Sequence, residues 1–177
     1  MNVEEFGRSL VKILSLKSER EERLLTLAKA LANGFGVNEK EVAVLRYNSS
    51  DSQLSFVWPP KLGKIGAVPL TAHNALCART LRDRKPYLDN QFSGTKHVSF
   101  FEAVRLEPTG ESGAVAELPI QKIMSVPLID GSRLLGVIQL SRKGAQAAEA
   151  GADFTRGQLD ALAAIATAVA PSLLLED

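Results

Sequence analysis

Few residues in this chain of 177 are equipped for chemistry, and they do not assemble into a reactive set. The natural bases, nucleophiles and soft metal ligands are two histidines, His73 and His97, and one cysteine, Cys77. Imidazole is a common axial ligand of haem and of metals, so His97 is the first residue to test. Its only companion is His73, and no Cys or acidic cluster stands at metal-ligand spacing. His97 therefore reads as a histidine on a loop surface. No Ser, His and Asp fall in the order of a nucleophilic triad, and neither a glycine-rich phosphate loop nor a catalytic pair of carboxylates stands out.

Charge gives a weaker lead. The formal net charge is +1, which argues against nucleic acid as a partner, since that task needs a basic stripe to displace counterions. Locally the balance is uneven: residues 61–105 carry eight Lys or Arg against three Asp or Glu, whereas residues 106–177 carry five against nine. The middle of the chain would favour an anion, although exposed charges are more often simply solvated surface. One cysteine allows no intrachain disulfide, which fits a reducing cytoplasm. Glu4 and Glu5 precede any apolar run, so the N-terminus lacks the basic start of a secretory signal. The longest apolar stretch, residues 161–175, is shorter than the ~20 residues that span a bilayer and is interrupted by Thr167 and Pro171. No membrane partner is expected.

The elements that must position these residues follow from periodicity. Phe6, Leu10, Ile13 and Leu14 share one helical face, and Leu24, Leu27, Ala28 and Leu31 repeat the pattern. Ser18 with Glu21 fits a capping box and so a break near Leu16; one continuous helix is the alternative. Gly34 and Gly36 end the element. Residues 41–47 (EVAVLRY) and 53–58 (QLSFVW) predict a hairpin closed by residues 48–52 and stopped by Pro59 and Pro60. Residues 71–84 are compatible with a helix, and Lys85-Pro86 turns the chain into a short strand at Tyr87-Leu88. Residues 90–121 form a long irregular connection, holding at most a short helix at residues 99–106; loops beyond about 15 residues are usually functional or disordered. Strands at 123–129 and 134–140 flank Asp130-Gly131, a pair suited to a tight hairpin. Thr155 and Gln158 then form a capping box before a helix that aligns Leu159, Leu162, Ala166, Val169 and Leu173.

Four strings carry a family likeness: ARTLRDRKPYLD (78–89), SVPL (125–128), LGVIQL (135–140) and FTRGQLDALAAIA (154–166). In this order, and with this succession of elements, the sequence resembles a GAF domain over roughly residues 19–174. The resemblance implies an α+β fold, an α/β/α sandwich around a central antiparallel sheet of five or six strands. The terminal helices pack on one face, and the short helices and the long loop cover the other. Residues 1–18 become an N-terminal helical extension and 19–177 the GAF-like domain. Independently, both strands of the last hairpin are apolar at nearly every position, as expected when both faces of a sheet are covered.

The resemblance also implies a small-molecule pocket over the sheet, beneath the long connection. The candidate ligand-binding residues are then Phe92, His97, Phe100, Phe101 and Arg105, with Asp89 and Ser125 at strand ends. Aromatic rings there would stack on a planar ligand, and Arg105 would hold a carboxylate or phosphate by paired hydrogen bonds. The competing reading has Phe100 and Phe101 plug the core with no ligand at all. Cyclic-nucleotide-binding members carry an Asn-Lys pair and a Phe-x-x-x-Asp-Glu run; here Phe101 leads to Arg105-Leu106, and Phe100 to Val104-Arg105, so that signature is absent. Cys77 lacks the flanking motifs of bilin-attachment sites and reads as a small buried apolar residue. The free methionine sulfoxide reductases of this fold work through several cysteines, and Cys77 has no second thiol within the chain.

The expected function is a non-catalytic sensory or regulatory domain in signal transduction, with no metal and with its cofactor, if any, unknown. Expected partners are a small-molecule ligand, a second copy bound through the terminal helices to give a homodimer, and a signalling partner protein or fused output domain. The alternative is a ligand-free dimerisation or protein-docking module. If the gene product ends at Asp177 it must act through another protein; if it is longer, the output segment follows Leu175.

Overall fold

A computed structural model of the chain describes residues 1–94 and 118–176. These residues form helices α1 (Val3–Ser15), α2 (Arg20–Phe35), α3 (Leu76–Asp83) and α4 (Arg156–Val169), and strands β1 (Val42–Asn48), β2 (Gln53–Trp58), β3 (Ala67–Pro69), β4 (Tyr87–Asp89), β5 (Ile120–Asp130) and β6 (Arg133–Lys143). The six strands make one antiparallel sheet in the order β3-β2-β1-β6-β5-β4.

The apolar hairpin lies at the centre of that sheet. Gly131 adopts φ +61° between β5 and β6, the left-handed conformation that a two-residue turn needs. Because side chains alternate across a strand, β5 and β6 feed two cores. On one face Met124, Val126, Leu128, Ile138 and Leu140 pack with Leu24, Leu27 and Leu31 of α2 and with Leu162, Ile165 and Val169 of α4. Leu10 and Leu14 bring α1 into the same cluster. On the other face Val137 joins Leu45, Leu54 and Phe56 beneath Cys77, Ala78 and Leu81 of α3. Burying a side chain of this kind contributes roughly 1.5–3 kcal/mol, so the dozen fully buried large residues account for both layers adhering to the sheet.

Gly136 marks the closest approach in the sheet. A Cβ there would lie 2.0 Å from the Leu45 carbonyl oxygen, so only glycine lets β6 run against β1 at this point. At the start of α4 the capping box forms as the sequence predicts: the Gln158 amide donates to Thr155 Oγ1 at 3.1 Å and the Thr155 amide to Gln158 Oε1 at 2.9 Å. Among the described residues no helix is long and apolar enough to cross a membrane.

Three local expectations change. The break between α1 and α2 falls near Leu16, but the residue preceding α2 is Glu19, and no side chain caps that helix. Arg23 stabilises the junction instead, donating to the Lys17 carbonyl and to that of Ser172, each at 2.7 Å. Helix α3 is shorter than residues 71–84, because Arg82 draws the carbonyls of Leu70 and Ala72 onto its Nη1 and holds that stretch as a turn. Strands β5 and β6 are longer than 123–129 and 134–140; the ladder continues through polar residues to Ile120 and Lys143. The short helix expected at 99–106 lies outside the described residues.

Candidate functional site

The α3 face of the sheet is more polar than the opposite one, and it is organised by hydrogen bonds between elements. Register places Tyr87 of β4 beside Ser125 of β5, and Ser125 beside Gln139 of β6. Above this rung sits Thr80 of α3: its Oγ1 lies 2.7 Å from Ser125 Oγ, and Ser125 Oγ accepts from Gln139 Nε2 at 3.2 Å. Thr80, Ser125 and Gln139 are all buried, so these two bonds satisfy groups that would otherwise be costly in the interior. Further along β5, Gln121 accepts from Ser93 Oγ and donates to the Gly144 carbonyl at 2.8 Å.

A cleft of about 310 Å³ opens between α3 and the end of β4. His73, Asn74, Ala75 and Leu76 line it from the loop and first turn of α3, Arg79 and Arg82 from the next turns, and Asp89 and Phe92 from the end of β4 and just beyond. Spacing of three residues on a helix puts Arg79 and Arg82 on one side of α3. Both guanidiniums are held in place. Arg79 stacks 4.4 Å above the Tyr87 ring and places its Nε 3.7 Å from Asp83 Oδ2. Arg82 is fixed through Nη1 by the Leu70 and Ala72 carbonyls.

The Tyr87 hydroxyl donates to Asp83 Oδ2. That bond holds the Asp83 carboxyl below its ordinary value, against some desolvation and with help from the charges of Arg82, Arg79 and Lys85. The same bond raises the Tyr87 hydroxyl above its ordinary value, because ionising it would remove the donor.

Immediately after Asp89 the chain is tied to α4. Asn90 Nδ2 donates to the Phe154 carbonyl and the Phe154 amide donates to Asn90 Oδ1, both at 2.9 Å. Phe154 is buried and directly precedes Thr155, the N-cap of α4. Its ring lies 4.7 Å beneath the Arg142 guanidinium, which donates to the Gly36 carbonyl at 2.9 Å and so reaches the end of α2. Close by, Lys122 donates to the Gly151 carbonyl at 2.6 Å and meets Asp153 Oδ1 at 2.7 Å, fixing the segment that leads to Phe154.

Of the residues singled out in the sequence, Asp89 and Phe92 line the cleft. Ser125 does not; it is fully buried under α3 in the Thr80 network. His97, Phe100, Phe101 and Arg105 lie outside the described residues. His73, Asn74, Arg79 and Arg82 were not singled out as ligand contacts, although the basic excess of residues 61–105 and the i, i+3 spacing of the two arginines were visible. Cys77 is buried in the core under α3. Among the described residues no group of three or more His, Cys, Asp or Glu could hold a metal ion.

The GAF domain family profile matches residues 19–173. The chain belongs to the GAF domain family. GAF domains are in general sensory or regulatory modules of signalling proteins. No curated protein sequence matches the chain. Among solved structures, the GAF domain of an Acinetobacter phosphoenolpyruvate-protein phosphotransferase superposes with a TM-score of 0.69 at 10% identity, covering 97% of this chain and 92% of that one. The corresponding domain from Coxiella burnetii gives 0.70 at 13% identity, with 98% and 93% covered. A free methionine-R-sulfoxide reductase from Neisseria meningitidis, solved with its substrate, gives 0.64 at 12% identity, with 98% and 89% covered. At such identities the likeness is one of fold.

Proposed function

We propose that this GAF domain is a sensory module that binds a small molecule in the cleft between α3 and β4 and passes the occupancy of that cleft to α4. One observation carries the reading: the chain segment that lines the cleft with Asp89 and Phe92 is hydrogen-bonded, through Asn90, to Phe154, the residue just before the N-cap of α4. A ligand that draws on Asp89 or Phe92 therefore acts one or two residues away from a clamp on the segment that leads into α4. Each neutral hydrogen bond is worth about 1 kcal/mol net, so making or breaking the clamp commands roughly 2 kcal/mol. Allosteric couplings are typically 1–3 kcal/mol, so the clamp is strong enough to bias α4 without unfolding the domain. A ligand shifts such an equilibrium by the difference in its affinity for the two states, here clamp formed and clamp open. The proposal is tested by titrating small metabolites while recording backbone amide shifts: binding at the cleft should move the Phe154 and Thr155 amides together with those of Asp89 and Asn90, and cleft shifts without a response at 154–155 would contradict it.

A second reading, a dimerisation module, is favoured by a different observation. Between α1 and α4 runs a groove of about 540 Å³ walled by Val3, Gly7, Val11, Ala164 and Ala168, with Glu4 and Arg8 beside it. Gly7 lies 3.6 Å from the Ala168 methyl, measured from the Cβ it lacks, so the floor is made of small residues. A two-fold interface pairs a patch with itself, and one acid and one base a turn apart are complementary to their own copies under such an axis. The partner of this face is then a second copy of this chain.

A further inference from the structure

We infer that the cleft takes a small oxyanion, a carboxylate or phosphate, that also carries a hydrogen-bond donor. The inference rests on the cleft being a ligand site and adds the chemistry of the ligand. Positive potential comes from two sources. Arg79 and Arg82 line the cleft, and so do Ala75 and Leu76, the N-cap and first residue of α3. The N-terminus of α3 is therefore one wall of the cleft, where the helix dipole favours negative charge. His73 and Asn74 add further side chains able to donate.

The arginines are prearranged for this task. Arg82 is anchored through Nη1 alone to two backbone carbonyls, and Arg79 is steadied by the Tyr87 ring and Asp83. A guanidinium already held in place loses little freedom on binding and offers the fork geometry that matches an oxyanion. Asp89 is the discordant group, because a carboxylate in an anion site repels its ligand. It stops doing so if the ligand presents a hydroxyl or an ammonium to it: Asp89 Oδ1 already accepts from the Gln91 amide at 2.8 Å, which fixes the side chain as an acceptor. Phe92, Ala75 and Leu76 supply apolar lining for a short carbon skeleton between the two ends. A volume near the bottom of the range for small-molecule sites, roughly 300–1,000 Å³, excludes a dinucleotide-sized ligand.

The test is an amide-shift titration of the whole chain with five probes. Acetate is an oxyanion alone; glycolate and glycine are carboxylates with a hydroxyl and an ammonium; phosphoethanolamine is a phosphate with an ammonium; ethanolamine has donors and no oxyanion. At least one donor-bearing anion should shift the amides of residues 74–79, 82 and 89–92 and bind about tenfold more tightly than acetate or ethanolamine, and which of glycolate, glycine and phosphoethanolamine leads separates carboxylate from phosphate sources. Raising salt should weaken it, since these charges are exposed. Arg79→Gln should lower its affinity about tenfold. Asp89→Asn should act in the opposite sense on the plain anion, strengthening acetate while erasing the advantage of the donor, a pattern that misfolding does not produce. Ethanolamine binding as tightly as the anions, acetate matching every donor-bearing anion, or no cleft shift with any probe would overturn the ligand class. Anion binding at the cleft with silent Phe154 and Thr155 amides would instead overturn the sensory reading and leave the ligand class intact.

Discussion

Asn90 and Phe154, 64 residues apart in sequence, hold each other by two reciprocal hydrogen bonds of 2.9 Å. One partner follows Asp89 at the end of an edge strand and the other precedes the N-cap of α4, so a side chain no larger than an amide joins the cleft to the terminal helix. The geometry demands both a donor and an acceptor at position 90. Asn90→Asp keeps the acceptor for the Phe154 amide and loses the donor to its carbonyl, whereas Asn90→Ala loses both. The expected cost is about 1 kcal/mol for the first and 2 kcal/mol for the second, read from urea unfolding. Equal and negligible costs would mean that the clamp does not bear on the native state.

Gly136→Ala should be among the most damaging single-methyl additions in the sheet. The new Cβ would meet the Leu45 carbonyl oxygen at 2.0 Å, and the contact is backbone, which cannot rotate away. A loss of about 3 kcal/mol or more is expected, the upper end for overpacking, measured as a fall in the urea midpoint. A variant as stable as the parent would show that β1 and β6 part easily here.

The buried pair Thr80 and Ser125 should couple. Thr80→Val and Ser125→Ala each strand a polar partner in the interior, at about 1–3 kcal/mol. The double variant removes both ends of one bond and should cost roughly 1 kcal/mol less than the sum of the singles. Strict additivity would contradict a direct bond between the two hydroxyls.

Tyr87→Phe should move the titration of Asp83. Because the Tyr87 hydroxyl holds the Asp83 carboxyl below its ordinary 3.8, removing it should raise that value, as followed by carboxyl carbon NMR. A depressed folded value means that this group's contribution to stability is present above the unfolded value and is lost as pH falls through the folded one. The variant should therefore lose less stability on acidification below about pH 4 than the parent does. At the alkaline end the sign reverses: the raised Tyr87 value contributes stability below its ordinary 10.0, lost as pH rises through the folded value, and the variant lacks that alkaline loss. An unchanged Asp83 titration would contradict the bond.

The dimer reading makes a separate prediction. Sedimentation velocity over a range of concentrations should show a two-fold associated species in the parent. Ala164→Glu, an exposed position of α4 within the groove, should return it to a monomer without loss of thermal stability. A parent that stays monomeric throughout would remove the reading.

How much of this was legible in the sequence depended on the range of the interaction. Thr155 with Gln158 and Asp130 with Gly131 are local signals, spelled out within four residues; the cap forms where the sequence predicts, whereas the turn falls one residue later, at Gly131-Ser132, with Asp130 ending β5 opposite Arg133. The apolar run of the central hairpin was equally plain, but its polar ends were not. Lys122 pairs with Arg142 in the ladder, and Gln121 is buried through bonds to Ser93 and Gly144, contacts that no periodicity encodes. Ser18 has the composition of a cap, yet Glu19 takes the position, because Arg23 ties that turn to the Lys17 and Ser172 carbonyls. Asp89 and Phe92 were found through the family likeness at the end of β4. Arg82 escaped notice because its bonds to Leu70 and Ala72 fold the chain back on itself, and Asn90 because its partner is 64 positions away.

The most direct test of the coupling between cleft and helix compares the parent with Asn90→Ala in one amide-shift titration, using whichever of glycolate, glycine and phosphoethanolamine binds the parent most tightly. The expected result is that in the parent the cleft amides and those of Phe154, Thr155 and the first turn of α4 titrate with one midpoint, whereas in the variant the cleft still responds and α4 falls silent. An α4 response that persists at full amplitude in Asn90→Ala would contradict the clamp as the route from the cleft to the terminal helix.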